Sequence, residues 1–295
     1  MINHLIGNYL VDSGCLTSLQ LERVFEIQKK TRARLGLIAV SEKMLTSKQS
    51  EEINKLQQIK DGRFGDIAIE KGYLTDAQVA RLLELQGNSY MSFVQAVIDS
   101  GFMSLPEYEA AFYEYRKCFE YTLKDLEAII SDDSDKIVPL FLPDDCEELQ
   151  VKHILTAVRM LLRLIDSEIY VERASRLSKL EDISGIAIQS IVGTYNATLG
   201  ISGVGDSILI PAEIFAQEKF DKVETDALDS VAEFINCVNG VYLSGNKSNA
   251  DMDMLPPEYI CNPETLNCSD MVVLPVFLKG SKLYLISKFD GTINL

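Results

Sequence analysis

Glycines recur every 29 residues at the start of this chain, at Gly7, Gly36 and Gly65, and Gln28, Gln57 and Gln86 keep the same interval. A second series, Gly14, Lys43, Gly72 and Gly101, runs in phase with them. A third, Thr17, Thr46, Thr75 and Ser104, is followed three residues later each time by Gln20, Gln49, Gln78 or Glu107. This S/T-x-x-E/Q pattern is a capping box, in which the hydroxyl and the amide or carboxylate satisfy free N–H groups at a helix start. A fixed period of this length means stacked supersecondary units.

Each unit therefore reads as a short helix, a glycine stop, one apolar residue (Cys15, Met44, Tyr73 or Phe102) and a capped second helix. The last helix is predicted to run on through "EYEAAFYEYRKCFEYTLKDLEAII", up to the break at "SDDSDK". The two middle units differ from the outer two. Only they open with arginine, Arg34 and Arg63, where the outer units have Leu5 and Ser92. A glycine two residues into a helix costs about 1 kcal/mol against alanine, so something is expected to approach the backbone closely there.

These middle units, "RLGLIAVSEKMLTSKQSEEINKLQ" and "RFGDIAIEKGYLTDAQVARLLELQ", are separated by "QIKDG" at residues 58–62. They resemble the tandem motif of the cyclic-di-GMP-binding N-terminal domain of secretion and pilus ATPases, the MshEN type. The chain departs from that motif at Ala39 and Ala68, where it has leucine, at Lys43, where it has glycine, and at Ser50, again for leucine. The resemblance implies cyclic di-GMP as ligand, held by Arg34, Leu35, Gly36, Gln57, Arg63, Phe64, Gly65, Gly72 and Gln86. The chemistry suits it. Arginine stacks on guanine or donates to its O6 and N7, and a glutamine amide reads a base edge or a ribose hydroxyl. Two copies match a two-fold ligand.

Charge divides the chain at about the same place as the repeats end. Residues 1–117 hold 14 Lys+Arg against 15 Asp+Glu, and the remainder 14 against 29. An acidic body of net charge −16 argues against nucleic-acid wrapping. No apolar run reaches the length of a membrane span, and the N-terminus lacks the regions of a signal peptide. Six scattered cysteines without C-x-x-C, and only two histidines, leave zinc without a motif and point to reduced thiols in the cytoplasm. Nucleotide-hydrolysis and dinucleotide fingerprints are absent from the sequence, and no histidine accompanies a nucleophile signature. The predicted organisation is multidomain: an all-α helical-repeat domain over 1–130, an acidic linker over 131–146 and an α+β domain over 147–295.

In that last domain "EELQVKHILTAVRMLLRLID" reads as an amphipathic helix, and "SEIYVERAS", "SGIAIQSIVGTYNATLGISG" and "DSILIPAEIF" read as strands. "MVVLPVFLKGSKLYLISKF" reads as a hairpin turning at Lys279-Gly280. A second helix, "ETDALDSVAEFINCVNG", places Leu228, Val231, Ile235 and Val238 on a face that must be buried. Asp229, Glu233, Asn236 and Gly240 lie nearly opposite. Glu233 and Asn236, three residues apart, are side-chain neighbours pointing outward.

This helix and the order of elements resemble the CheC/CheX/FliY-type chemotaxis phosphatases, whose motif [D/S]-x-x-x-E-x-x-N is followed at a distance by proline. Here it would be Asp229, Glu233 and Asn236 with Pro256 or Pro257, and the loop to the proline would be shorter than the family's usual one. A single copy resembles the CheX branch. The resemblance implies an aspartyl-phosphate phosphatase acting on a response-regulator receiver domain, with Glu233 and Asn236 as catalytic residues. Glu233 would pair with the partner's lysine, and Asn236 would orient the attacking water. The magnesium ion would belong to the partner, and a homodimer is implied. The competing reading is a non-enzymatic adaptor that docks a receiver domain and carries a degenerate nucleotide site.

Overall fold

A computed structural model describes residues 1–60, 62–245, 251–263, 265–293 and 295. The chain divides into two compact units, Ile2–Asp132 and Asp133–Leu295. The spacer residue Asp61 and residues 246–250, which lie between the Glu-x-x-Asn helix and the proline pair, fall outside the described residues.

Among its described residues the first unit holds helices and turns and no strand. Its repeats are the helix pairs α1 (Ile2–Asp12) and α2 (Ser18–Gln28), α3 (Leu35–Ser41) and α4 (Ser47–Lys60), α5 (Phe64–Glu70) and α6 (Asp76–Leu85), and α7 (Ser89–Asp99) and α8 (Leu105–Cys118). Between the two helices of a pair the chain turns through a left-handed residue: Gly14, Gly72 and Gly101 at φ of 74°, 70° and 74°, with Lys43 at 56° in the same phase. Lysine departs from the glycine pattern there without changing the turn. All four capping boxes form. In α6, for example, Thr75 N–H donates to Gln78 Oε1 at 2.8 Å and Gln78 N–H to Thr75 Oγ1 at 3.3 Å.

The 29-residue glycines have a structural cause. A Cβ placed on Gly7 would lie 2.7 Å from Leu21 Cδ1, and one on Gly65 2.7 Å from Val79 Cγ1. On Gly36 it would collide with Ser50 Oγ. In each case the intruding side chain comes from the second helix of the same repeat, at the same place in its sequence. The close approach expected of a ligand is made by the protein itself, which corrects the sequence reading of Gly36 and Gly65. Gly65→Ala is expected to cost about 1–3 kcal/mol by overpacking, less the roughly 1 kcal/mol that alanine returns in helix propensity. Urea denaturation measures it, and a stabilised variant would show that Val79 can yield.

The repeats pack in two pairs. Helix α2 lies against α7, and α1 against α7 and α8; α3 lies against α6, and α4 against α5. Helix α8 does not run on to Ile130, as the sequence suggested. Glu120 is left-handed (φ 56°) and Tyr121 N–H reaches back to Arg116 O at 3.0 Å, a Schellman-type stop. Thr122 then opens α9 (Leu123–Ile130) with a capping box of its own, Thr122 with Asp125.

The second unit begins inside the segment expected to be a linker. Asp133 caps α10 (Ser134–Ile137), and a 3-10 turn over Val138–Phe141 follows. Ile137 and Val138 are fully buried, and Phe141 and Leu142 nearly so. The acidic residues there cap and surround a short folded segment with an apolar core.

Helix α11 (Glu148–Leu164) leads into an antiparallel sheet of β1 (Tyr170–Val171), β2 (Ser175–Glu181), β3 (Gly185–Val192), β4 (Ala197–Gly203), β5 (Asp253–Met254), β6 (Glu258–Cys261), β7 (Thr265–Leu278) and β8 (Ser281–Phe289). The path is β1-β7-β8-β4-β3-β5, with β2 on β7 and β6 on β3. The β7–β8 hairpin turns at Lys279 and Gly280, both left-handed, as the sequence predicts. "SEIYVERAS" contributes only the two-residue β1 and the first residue of β2.

"DSILIPAEIF" is not a strand. Gly205–Ile208 form a 3-10 turn and Leu209–Ala216 a helix, α12. Pro211 lies in its first turn, where a missing N–H costs nothing. Helix α13 (Thr225–Ser244) packs on β3, β4 and β6 and against α11 and α12. Leu228, Val231, Ile235 and Val238 are buried on it, as the periodicity predicts. Among the described residues no helix is long and apolar enough to cross a membrane.

Candidate functional site

The exposed side of α13 carries Asp229 and Glu233, with Asn236 and Gly240 half-buried beyond them. Asn236 Nδ2 lies 3.4 Å from each carboxylate oxygen of Glu233, so the two side chains meet across one helical turn. A Cβ on Gly240 would meet nothing within 4 Å, which leaves the helix surface flat beyond Asn236. Burial, with the Glu233 carboxylate close by, pushes the thiol of neighbouring Cys237 up.

Asn236 is held from beneath. Gln189, in the middle of β3 and only 2% exposed, donates from Nε2 to Asn236 Oδ1 at 2.8 Å and to Leu255 O at 2.9 Å. Its Oε1 accepts from Asn239 Nδ2 at 2.8 Å, and Asn239 Oδ1 pairs with His153 Nε2 at 2.6 Å. Asn239 and His153 are buried, one from α13 and one from α11. A row of polar groups therefore runs from the core to the surface, each bonded to the next, as burial requires. The His153 ring stacks on Tyr242, centroids 4.3 Å apart, and its Nδ1 has no hydrogen-bond partner.

Since Asn239 spends its amide hydrogen on Gln189, its oxygen must accept, and His153 donates through Nε2–H as a neutral imidazole. Burial lowers its pKa to about 4, against the opposing pull of the Asn239 oxygen.

The proline pair enters the same arrangement. Leu255, whose carbonyl Gln189 holds, directly precedes Pro256, and Leu255 N–H donates to Ser190 O at 2.9 Å. Pro256 is exposed, Pro257 half-buried, and Met254 and Leu255 are exposed large apolar residues. Gln189 thus ties the loop of Pro256 to Asn236. Nothing in the sequence marks it: it is one polar residue inside "GIAIQSIV", and only its place on β3 beneath α13 gives it a role.

Among the ligand residues expected in the repeats, Gly72 stands apart, making the left-handed turn at the far end of α5. A Cβ on Gly36 would lie 3.1 Å from Phe64 Cε2, so the starts of α3 and α5 meet there. Gln86 Nε2 donates to Ala33 O at 2.6 Å, just before Arg34, and Gln57 Nε2 to Gly62 O at 3.1 Å, just before Arg63. Both glutamines therefore spend an amide hydrogen on backbone. Arg34 and Arg63 are the N-cap residues of α3 and α5, and both are exposed. Arg34 reaches Asp99 at 3.4 Å with its side chain 73% exposed. Leu35 is half-buried and Phe64 buried. Among the described residues no cluster of His, Cys, Asp or Glu is arranged to hold a metal ion.

No family model matches the chain, and no curated protein matches it. Solved structures do, over its C-terminal half. A CheC-like superfamily protein from Shewanella sp. PV-4 is 16% identical, with 50% of this chain and 100% of that one covered and a TM-score of 0.42. The chemotaxis protein CheX from Desulfovibrio desulfuricans is 11% identical over 48% of this chain and 99% of that one, TM-score 0.42. A chain of the CheX–CheY–BeF3–Mg2+ complex from Borrelia burgdorferi is 16% identical over 48% of this chain and 96% of that one, TM-score 0.39.

Proposed function

We propose that the second unit docks a phosphorylated receiver domain against α13 and hastens hydrolysis of its aspartyl phosphate. The observation that carries this reading is the pairing of Glu233 with an Asn236 whose amide is anchored from beneath by Gln189. Glu233 offers a carboxylate to a lysine of the partner. Asn236 Oδ1 takes one hydrogen bond from Gln189 and keeps a second lone pair for a water O–H, which turns the water's own lone pair toward the phosphorus. The water oxygen bonds to phosphorus as the bond to the aspartyl oxygen breaks. The aspartate leaves as carboxylate, and the water proton passes to phosphate or solvent. Such chemistry asks the protein for placement above all.

The test uses receiver domains phosphorylated with acetyl phosphate, with phosphate loss followed in the presence and absence of the full chain. Acceleration supports the reading. Binding without acceleration makes the protein an adaptor, and neither result on any receiver rejects the docking role.

We propose further that the two middle repeats bind cyclic di-GMP at Arg34 and Arg63. What supports it is the meeting of the two motif copies at the starts of α3 and α5, each opened by an exposed arginine, although glycine and glutamine already have structural work there and Arg34 reaches Asp99. Ligand at 100 times its dissociation constant stabilises a native state by roughly 2.7 kcal/mol. A thermal-shift titration is expected to show a dose-dependent rise that Arg63→Ala abolishes. A flat titration leaves the repeats as a scaffold.

A further inference from the structure

The polarity of the whole amide row is set by one backbone atom. The Leu255 carbonyl can only accept, so the end of Gln189 that faces it must be Nε2. The same nitrogen faces Asn236, so Asn236 must turn its oxygen toward Gln189 and its Nδ2 toward Glu233. The opposite end of Gln189 is then Oε1, which demands the Nδ2 of Asn239 and leaves the Asn239 oxygen for His153. Every amide is assigned, and none can flip without setting two acceptors or two donors against each other in a buried place, at a cost of about 1–3 kcal/mol.

Gln189 is the junction. Among the described residues it is the one group bonded to Asn236, to the loop before Pro256 and to the buried pair Asn239–His153. Without it the orientation of half-buried Asn236 would rest on the long contacts of its Nδ2 with the exposed Glu233 carboxylate alone.

From this geometry we infer that Gln189 is a positioning residue, which fixes the rotamer and amide orientation of Asn236 and locks the Leu255–Pro256 loop beside it. The inference rests on the reading of α13 as the phosphatase helix for its effect on rate, though not for its effect on Asn236. Gln189, only 2% exposed, lies beneath the surface that would meet the partner. Its removal therefore lowers turnover and leaves docking alone.

The experiment compares the full-length wild type with Gln189→Leu and the near-isosteric Gln189→Glu, which keeps the acceptor for Asn239 and loses both donors. Turnover of a phosphorylated receiver is expected to fall about 10- to 100-fold, the range that a misplacement of about 1 Å produces. Affinity for the beryllofluoride-activated receiver should stay within about three-fold, since no interface group changes. A variant that melts earlier but turns over normally while folded overturns the inference, because a purely structural role moves stability alone.

A second readout needs no activity. The side-chain NH2 resonances of Asn236, assigned by their loss in Asn236→Ala, are expected to be dispersed in the wild type, to collapse toward free-amide values in Gln189→Leu, and to move to new positions in Gln189→Glu, where the carboxylate accepts from a flipped Asn236 amide. If no receiver is dephosphorylated, the functional reading fails and the NMR result alone decides the inference. Unchanged Asn236 resonances overturn it.

Discussion

Asn236→Ala is expected to abolish the proposed acceleration of receiver dephosphorylation and to leave the receiver bound. Losing the group that aligns a reacting water costs about 100-fold or more in rate, because little besides alignment is being supplied. The fold should survive. Asn236 is half-buried, so water can enter to satisfy the Gln189 N–H left behind, and the loss of stability stays near 1 kcal/mol. Glu233→Ala should act differently. On the proposed reading it removes a charge pair that binds ground state and transition state alike, so it should raise the receiver concentration needed for half-maximal rate and change the limiting rate little. Loss of labelled phosphate from the receiver, measured over a range of receiver concentrations, separates the two. An unchanged rate in Asn236→Ala rejects the assignment of this helix.

Acidification from pH 7 to pH 5 should destabilise the second unit by about 2 kcal/mol through His153 alone. Its pKa, near 6.5 in an unfolded chain, is about 4 in the fold, where the ring is buried against Tyr242. The folded state therefore holds the neutral ring while the unfolded chain takes up a proton. The stabilisation is complete above the unfolded pKa and is lost as pH falls from 6.5 toward 4. Several carboxylates run the same way at lower pH. Glu52, Glu148 and Glu213 are held below their ordinary range, chiefly by hydrogen bonds from Lys71, Lys152 and Lys219, so what they contribute disappears only below about pH 4.5. The interval from 6.5 to 5 isolates the histidine. Urea denaturation at pH 7 and pH 5 should show the drop in the wild type and little of it in His153→Gln, which keeps a donor for Asn239 and cannot titrate. Equal slopes would place the acid sensitivity elsewhere.

The errors of sequence reading have particular physical causes. The segment that became α12 is apolar on nearly every side, so neither a period of two nor one of 3.6 stands out and its isoleucines look like a strand. The break after α8 lies within a continuous aromatic pattern and depends on one left-handed glutamate, which carries no composition signal. The supposed linker is acidic at its start but buries four apolar residues just beyond. The repeat glycines were legible as close approaches. What approaches them was not, since Leu21, Ser50 and Val79 become neighbours of Gly7, Gly36 and Gly65 only once the two helices of a repeat fold against each other.

Local physics determined what the sequence could declare alone. Capping boxes, left-handed stops, the Lys279-Gly280 turn and the buried stripe of α13 each depend on residues a few positions apart, so their spacing is their signature. Glu233 and Asn236 belong to that class, as neighbours on one helical face. Tertiary structure decided the rest. Gln189 meets Asn236 across 47 residues and Leu255 across 66, and His153 meets Asn239 across 86. No periodicity links such positions. The sheet brings them together, and where they are buried their hydrogen bonds close on one another, because a buried polar group left without a partner is costly.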